Sequence, residues 1–198
     1  FLVFKNIFLA SYPKSGNTWL RSIILSSLQQ NNIINIKDLS KIRLLSDKMN
    51  FTSFKNKIYD KKGLIDYDWM SKNLILCQKK LNEKTKYNFF FKTHSVRHKS
   101  FTNKTVNAGF IYIVRDPRDI VVSLSNFTGI NLDEAINQIV FNKQLMTNAN
   151  GARELVSNWD LNIKSWLEYK SVPSLFIRYE VLLFKSNNTI LKTVSYTQ

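Results

Sequence analysis

Residues 7 to 20 read Ile7-Phe8-Leu9-Ala10-Ser11-Tyr12-Pro13-Lys14-Ser15-Gly16-Asn17-Thr18-Trp19-Leu20, an apolar run that stops at a proline turn and resumes at helical spacing. Ile7 to Tyr12 has the length and content of a buried strand. From Thr18 to Gln29, the residues Trp19, Leu20, Ile23, Ile24 and Leu28 share one helical face. Strand, tight loop and helix therefore follow one another. In an open parallel sheet, ligands bind beyond the carboxyl ends of the strands, and a helix starting there points unpaired N–H groups and a positive dipole end at an anion. Gly16 permits close backbone approach, Lys14 brings a mobile positive charge, and Ser15, Asn17 and Thr18 supply donors. The set suits phosphate or sulfate. A nucleoside triphosphate loop of the usual kind has its lysine after a second glycine. Here Lys14 precedes the loop's glycine, which disfavours ATP or GTP hydrolysis.

Outward from this unit, Tyr87 to Thr93, with Phe89, Phe90 and Phe91 in sequence, is expected to be a second buried strand. Phe110 to Val114 is a third. A helix follows, with Asp116 to cap it, Pro117 at its first position and Ile120, Val121 and Leu124 on its apolar stripe. Leu132 to Leu145 and Glu154 to Tyr169 are expected as helices, Ser174 to Ile177 as a last strand, and residues 31 to 85 as short helices and loops. Alternating strands and helices imply an α/β fold of three layers, with a central, mainly parallel sheet covered on both faces.

The chain of 198 residues, 44% hydrophobic and 13% aromatic, suffices for one domain with a substantial core. Its net charge of +15 invites a nucleic-acid reading, which needs clustered cations. The basic residues are instead spread from Lys5 to Lys192, so no specific nucleic-acid binding is expected, and the charge serves to attract an anionic ligand. No apolar run approaches the roughly 20 residues of a membrane span. A single cysteine, Cys77, excludes an intrachain disulfide and fits a reducing compartment, the cytoplasm. No His/Cys cluster has metal-ligand spacing, and no metal is expected.

The string Tyr12-Pro13-Lys14-Ser15-Gly16-Asn17-Thr18-Trp19-Leu20-Arg21 closely resembles the loop by which sulfotransferases hold 3′-phosphoadenosine-5′-phosphosulfate (PAPS). The resemblance implies a P-loop-like nucleotide-binding fold. It also implies that Lys14 contacts the bridging and sulfuryl oxygens, that Ser15, Gly16, Asn17 and Thr18 hold phosphate, and that Trp19 packs on adenine. Many members have Thr where Asn17 stands. Arg115, leaving a strand, and Ser123, eight residues later on the next helix, resemble the family's 3′-phosphate motif. A guanidinium fork and a hydroxyl suit a phosphate. Read alone, Arg115 could equally pair with Asp119, and Ser123 could be a packing residue.

Lys92-Thr93-His94 resembles the family's Lys-Thr-His segment, which implies His94 as general base and Lys92 as support toward the sulfuryl group. The other histidine, His98, matches nothing and is expected in solvent. Tyr179, in Leu175 to Glu180, would lie near adenine, although Val181 stands where relatives have Asp. Family members also carry a Gly-rich segment near the C-terminus, and no glycine follows Gly151 here. Residues 1–198 are accordingly expected to form a single domain incomplete at its C-terminus, and the start at Phe1 leaves room for residues upstream. The implied reaction moves a sulfuryl group from PAPS to a hydroxyl or amine of a small hydroxylated compound or a carbohydrate, leaving adenosine 3′,5′-bisphosphate. Residues 37–85 and 127–150 would shape the acceptor pocket. The alternative is a degenerate domain that binds nucleotide or anions without turnover.

Overall fold

The computed structural model describes residues 5–28, 35–141, 145–147, 153–184 and 195. In chain order, β1 (Asn6–Ser11) leads through the Pro13 turn into α1 (Asn17–Leu28). Two 3₁₀ segments, Ile36–Lys41 and Lys48–Phe54, precede α2 (Tyr67–Lys72) and α3 (Leu74–Lys84). Then come β2 (Phe89–Thr93), β3 (Asn107–Val114), α4 (Pro117–Thr128), α5 (Leu132–Val140), the short strands β4 (Leu145–Thr147) and β5 (Arg153–Leu155), α6 (Trp159–Leu167), β6 (Ser174–Arg178) and α7 (Tyr179–Phe184).

β2, β1, β3 and β6 lie side by side in that order, and every pairing is parallel. β1 is buried along its whole length because both of its faces are covered. Ile7 and Leu9 meet Leu20 and Ile24 of α1 and Leu182 of α7. On the opposite face, Phe8 and Ala10 join Phe91, Phe110, Tyr112 and Trp166. Trp166 is fully buried and lies edge-on to Phe8, so its truncation to alanine would cost about 3–5 kcal/mol. This is the three-layer α/β architecture with a central parallel sheet that the sequence implies.

The order of strands locates the crevice. β1 feeds through α1 and the segment up to α3 into β2 on one side, while β3 feeds through α4 to α6 into β6 on the other. Connections leaving in opposite directions open a cleft between the carboxyl ends of β1 and β3. The Pro13 turn and Arg115 stand there.

Three expectations change. The span Glu154 to Tyr169 is not one helix. Ser157 has a left-handed φ of 60°, and Asn158 then caps α6 by accepting from the Leu161 N–H, which leaves residues 153–155 extended and paired antiparallel with β4. α5 ends at Val140, and Leu145 begins β4. The third change is α3, a helix of 11 residues in a region read as short pieces. Its buried face is partly amide: Gln78 Oε1 accepts from Asn6 and Asn107 at 3.0 and 2.7 Å, and Asn82 donates to the Val106 carbonyl at 2.9 Å. Polar residues on the inward face remove the apolar period by which a helix is recognised. Gln29, residues 31–34, 142–144 and 148–152, and most of the C-terminal stretch 185–198, all covered by expectations above, lie outside the described residues.

Candidate active site

The Pro13 turn is held in an unusual backbone path. Lys14 takes φ 65°, at a cost on the order of 1 kcal/mol for a residue with a Cβ, and Gly16 takes φ 95°. A Cβ on Gly16 would sit 2.5 Å from Cδ2 of Tyr179, so glycine here lets the turn close against that ring. Arg115, at the end of β3, donates from Nη1 to the Lys14 carbonyl at 2.9 Å and pins the turn across the crevice. Its guanidinium stands 4.5 Å from the Tyr179 ring centre, and the same ring meets Trp19 edge-on at 5.8 Å. Arg115, Tyr179 and Trp19, chosen from three separate stretches of sequence, thus form one wall. Arg115 Nε lies 3.9 Å from Asp119, too far for a hydrogen bond.

Two polar atoms at this wall and its turn are buried without a hydrogen bond. Ser15 is 1% exposed and its Oγ has no hydrogen bond; Arg115 Nε is in the same state. Native proteins rarely leave such groups unmade, because each costs about 1–3 kcal/mol. Donors of this kind around a helix N-terminus fit an anionic group such as a nucleotide phosphate. Asn17 differs: its side-chain amide donates to the Leu9 carbonyl at 3.0 Å and to Ser11 Oγ at 3.2 Å, so what it offers outward is its backbone N–H. Thr18 is exposed on the first turn of α1, and Ser123 is half-buried on α4. Lys14 extends its ammonium over the Phe127 ring, 3.9 Å from the centroid, beside a cavity of about 130 Å³ lined by Tyr12, Pro13, Ile120, Leu124 and Phe127.

His94 follows β2 and is half-buried. Its Nδ1 lies 2.9 Å from the Ser11 carbonyl oxygen and 3.1 Å from Ser11 Oγ. A carbonyl only accepts, so Nδ1 carries the proton and Nε2 keeps its lone pair. Burial first, then the neighbouring Lys92 charge, and further Arg21, pull the imidazole down to about 3, against the opposing hydrogen bond to Ser11. The ring is therefore neutral. Lys92 is itself lowered, by burial and then by Arg21, while Glu154 acts the other way. Arg21 donates to the carbonyls of Leu39 and Ile42 at 3.1 Å each, which brings α1 against the first 3₁₀ segment. His98 is exposed, as expected, with Ser100 as its partner.

The carboxyl ends of β1, β2, β3 and β6 therefore bring together Lys14, Ser15, Gly16, Trp19, Lys92, His94, Arg115 and Tyr179. Sequence reasoning missed Ser11, Arg21, Phe127 and Glu154. Ser11 had a faint signal, being the last strand residue before the turn; Glu154 had none, because β5 was read as helix. Among the described residues, no group of three His, Cys, Asp or Glu side chains could hold a metal ion, and no helix is long and apolar enough to cross a membrane.

Retinol dehydratase in complex with androsterone and inactive cofactor PAP has a similar structure, with a TM-score of 0.57 and 19% identity over 96% of this chain and 59% of that one. A retinol dehydratase complex with retinol and PAP gives 0.55 and 18%, over 97% and 59%. The chain thus spans 59% of the length of these structures. No curated protein matches it. These likenesses establish the fold, and the model of the sulfotransferase domain matches residues 4–196; the chain belongs to the sulfotransferase domain family.

Proposed function

We propose that the chain is a PAPS-dependent sulfotransferase in which His94 is the general base. The observation that carries the reading is the hydrogen bond from His94 Nδ1 to the Ser11 carbonyl, which fixes the base two residues before the turn that presents Lys14. Lys14, Ser15, the backbone N–H groups of Gly16 to Thr18 and the Trp19–Tyr179 pair would receive the phosphosulfate and adenine, and Arg115 with Ser123 the 3′-phosphate. PAPS supplies an activated sulfur–oxygen bond. Nε2 of His94 takes the acceptor's proton as the new oxygen–sulfur bond forms, and Lys14 and Lys92 balance the charge on the departing phosphate.

The cavity beside Lys14 supports a small hydroxylated acceptor over a carbohydrate, because Leu124 and Phe127 offer apolar surface. Retinol dehydratase, bound to retinol or androsterone in the similar structures, is in keeping with such an acceptor. A cytoplasmic setting fits the lone, buried Cys77.

Calorimetry with adenosine 3′,5′-bisphosphate and adenosine 5′-monophosphate tests the nucleotide site. The bisphosphate is expected to bind more tightly, and Arg115→Ala to erase the preference. Transfer of labelled sulfate from PAPS then tests the base, with His94→Ala expected to abolish turnover while sparing bisphosphate affinity. Equal or absent binding of both nucleotides by folded protein would sink the PAPS reading, and binding without transfer to any acceptor would favour the degenerate domain.

A further inference from the structure

β5 contributes one inward-facing residue, Glu154, which is 6% exposed between the exposed Arg153 and Leu155. A buried carboxylate costs several kcal/mol unless its oxygens are satisfied, so its partners show what it is for. Glu154 Oε1 accepts from Thr93 Oγ1 at 2.8 Å and from the His94 backbone N–H at 2.7 Å. Thr93 Oγ1 in turn accepts from the Ser95 N–H at 3.1 Å. Next to Glu154, the Leu155 carbonyl accepts from the Val96 N–H at 2.8 Å. These contacts all serve the stretch that leaves β2.

From the other side, Asn162 of α6 donates to the His94 carbonyl at 2.8 Å and is itself fixed by the Tyr112 hydroxyl at 2.8 Å. His94 is thus held at its N–H by Glu154, at its C=O by Asn162 and at its ring by Ser11. With the peptide clamped on both sides, the ring meets the Ser11 carbonyl in one orientation, which selects one tautomer.

We infer that Glu154 is a positioning residue, which fixes the His94 backbone so that Nδ1 meets Ser11 and Nε2 faces the reaction. This rests on the reading of His94 as the base. Both hydrogen bonds go to a single oxygen, so an amide at this position would serve the same end. A residue present only to complete the fold would leave the imidazole state of His94 unaltered when replaced in a folded protein.

The chain has 2 histidines, and exposed His98 is an internal control for imidazole proton–nitrogen correlation spectra. Native protein should show His94 protonated at Nδ1 alone. Glu154→Ala, with Glu154→Met to keep the bulk, should lose that single tautomer and lower kcat on the order of 100-fold, with bisphosphate affinity unchanged. Glu154→Gln should restore the tautomer and most of kcat. A folded alanine or methionine variant with the native tautomer and native kcat overturns the proposal. So does an equal loss in Glu154→Gln, or the unfolding of both alanine and methionine variants. If native protein transfers no sulfuryl group, the proposed reaction fails separately, and the spectra alone decide the role of Glu154.

Discussion

Gly16 shows how much a single residue settles. Its φ of 95° strains any side chain, and an added Cβ would meet the Tyr179 ring at 2.5 Å. Gly16→Ala should therefore lower stability by about 1–3 kcal/mol and weaken bisphosphate binding, as thermal unfolding and calorimetry on one sample would report. Loss of binding without loss of stability would mean that the ring had swung away and given up Trp19 and Arg115. Lys14, Gly16 and Arg115 were legible in the sequence because each belongs to a short contiguous string with its own chemistry. Glu154 was not, because its partners Thr93 and His94 lie some 60 positions away and nothing in Arg153-Glu154-Leu155 announces them. The donor role expected of the Asn17 side chain was also beyond the sequence's reach, since only the folded turn shows that amide turned back onto Leu9 and Ser11.

Elements set the positions that residues then use. α6 begins at Trp159 because the Asn158 side chain accepts from the Leu161 N–H at 2.9 Å, and three residues further on Asn162 reaches the His94 carbonyl. The cap thereby fixes where the clamp on His94 stands. Asn158→Ala should cost about 1 kcal/mol in chemical denaturation, and Asn158→Asp, which keeps the acceptor, should not. The strands were the readable part: β1, β2, β3 and β6 each begin within three residues of the expected start, because apolar runs between turn residues have few other uses. Helices with amide-bearing inner faces were the hard part, and α3 is the example. Where Gln78 and Asn82 stand inward, burial is satisfied by hydrogen bonds to Asn6, Asn107 and Val106, and hydropathy carries no trace of it.

Across the whole molecule, the burial of titratable groups at one end of the sheet ties stability to pH. His94, lowered from 6.5 to about 3 chiefly by burial, stays neutral in the fold, while in the unfolded chain it takes up a proton below about 6.5. The unfolded state binds more protons in that window, so stability is full above it and falls as the solution is acidified. Glu154, raised by burial, has the opposite sign: on acidification it takes up its proton in the fold before it does in the unfolded chain. Between about pH 7 and about pH 5, urea unfolding of native protein should lose about 2 kcal/mol more than that of His94→Gln.

The strand order also bears on how the chain is made. β1 is made before both of its neighbours, Phe89–Thr93 and the stretch ending at Ile113. At roughly 5–20 residues per second, this segment, apolar from Ile7 to Ala10 and buried in the fold, waits on the order of ten seconds for either edge to pair with. The nascent chain therefore spends that interval with both edges of an apolar strand unpaired, and the stretch between α1 and β2 sets the length of the delay.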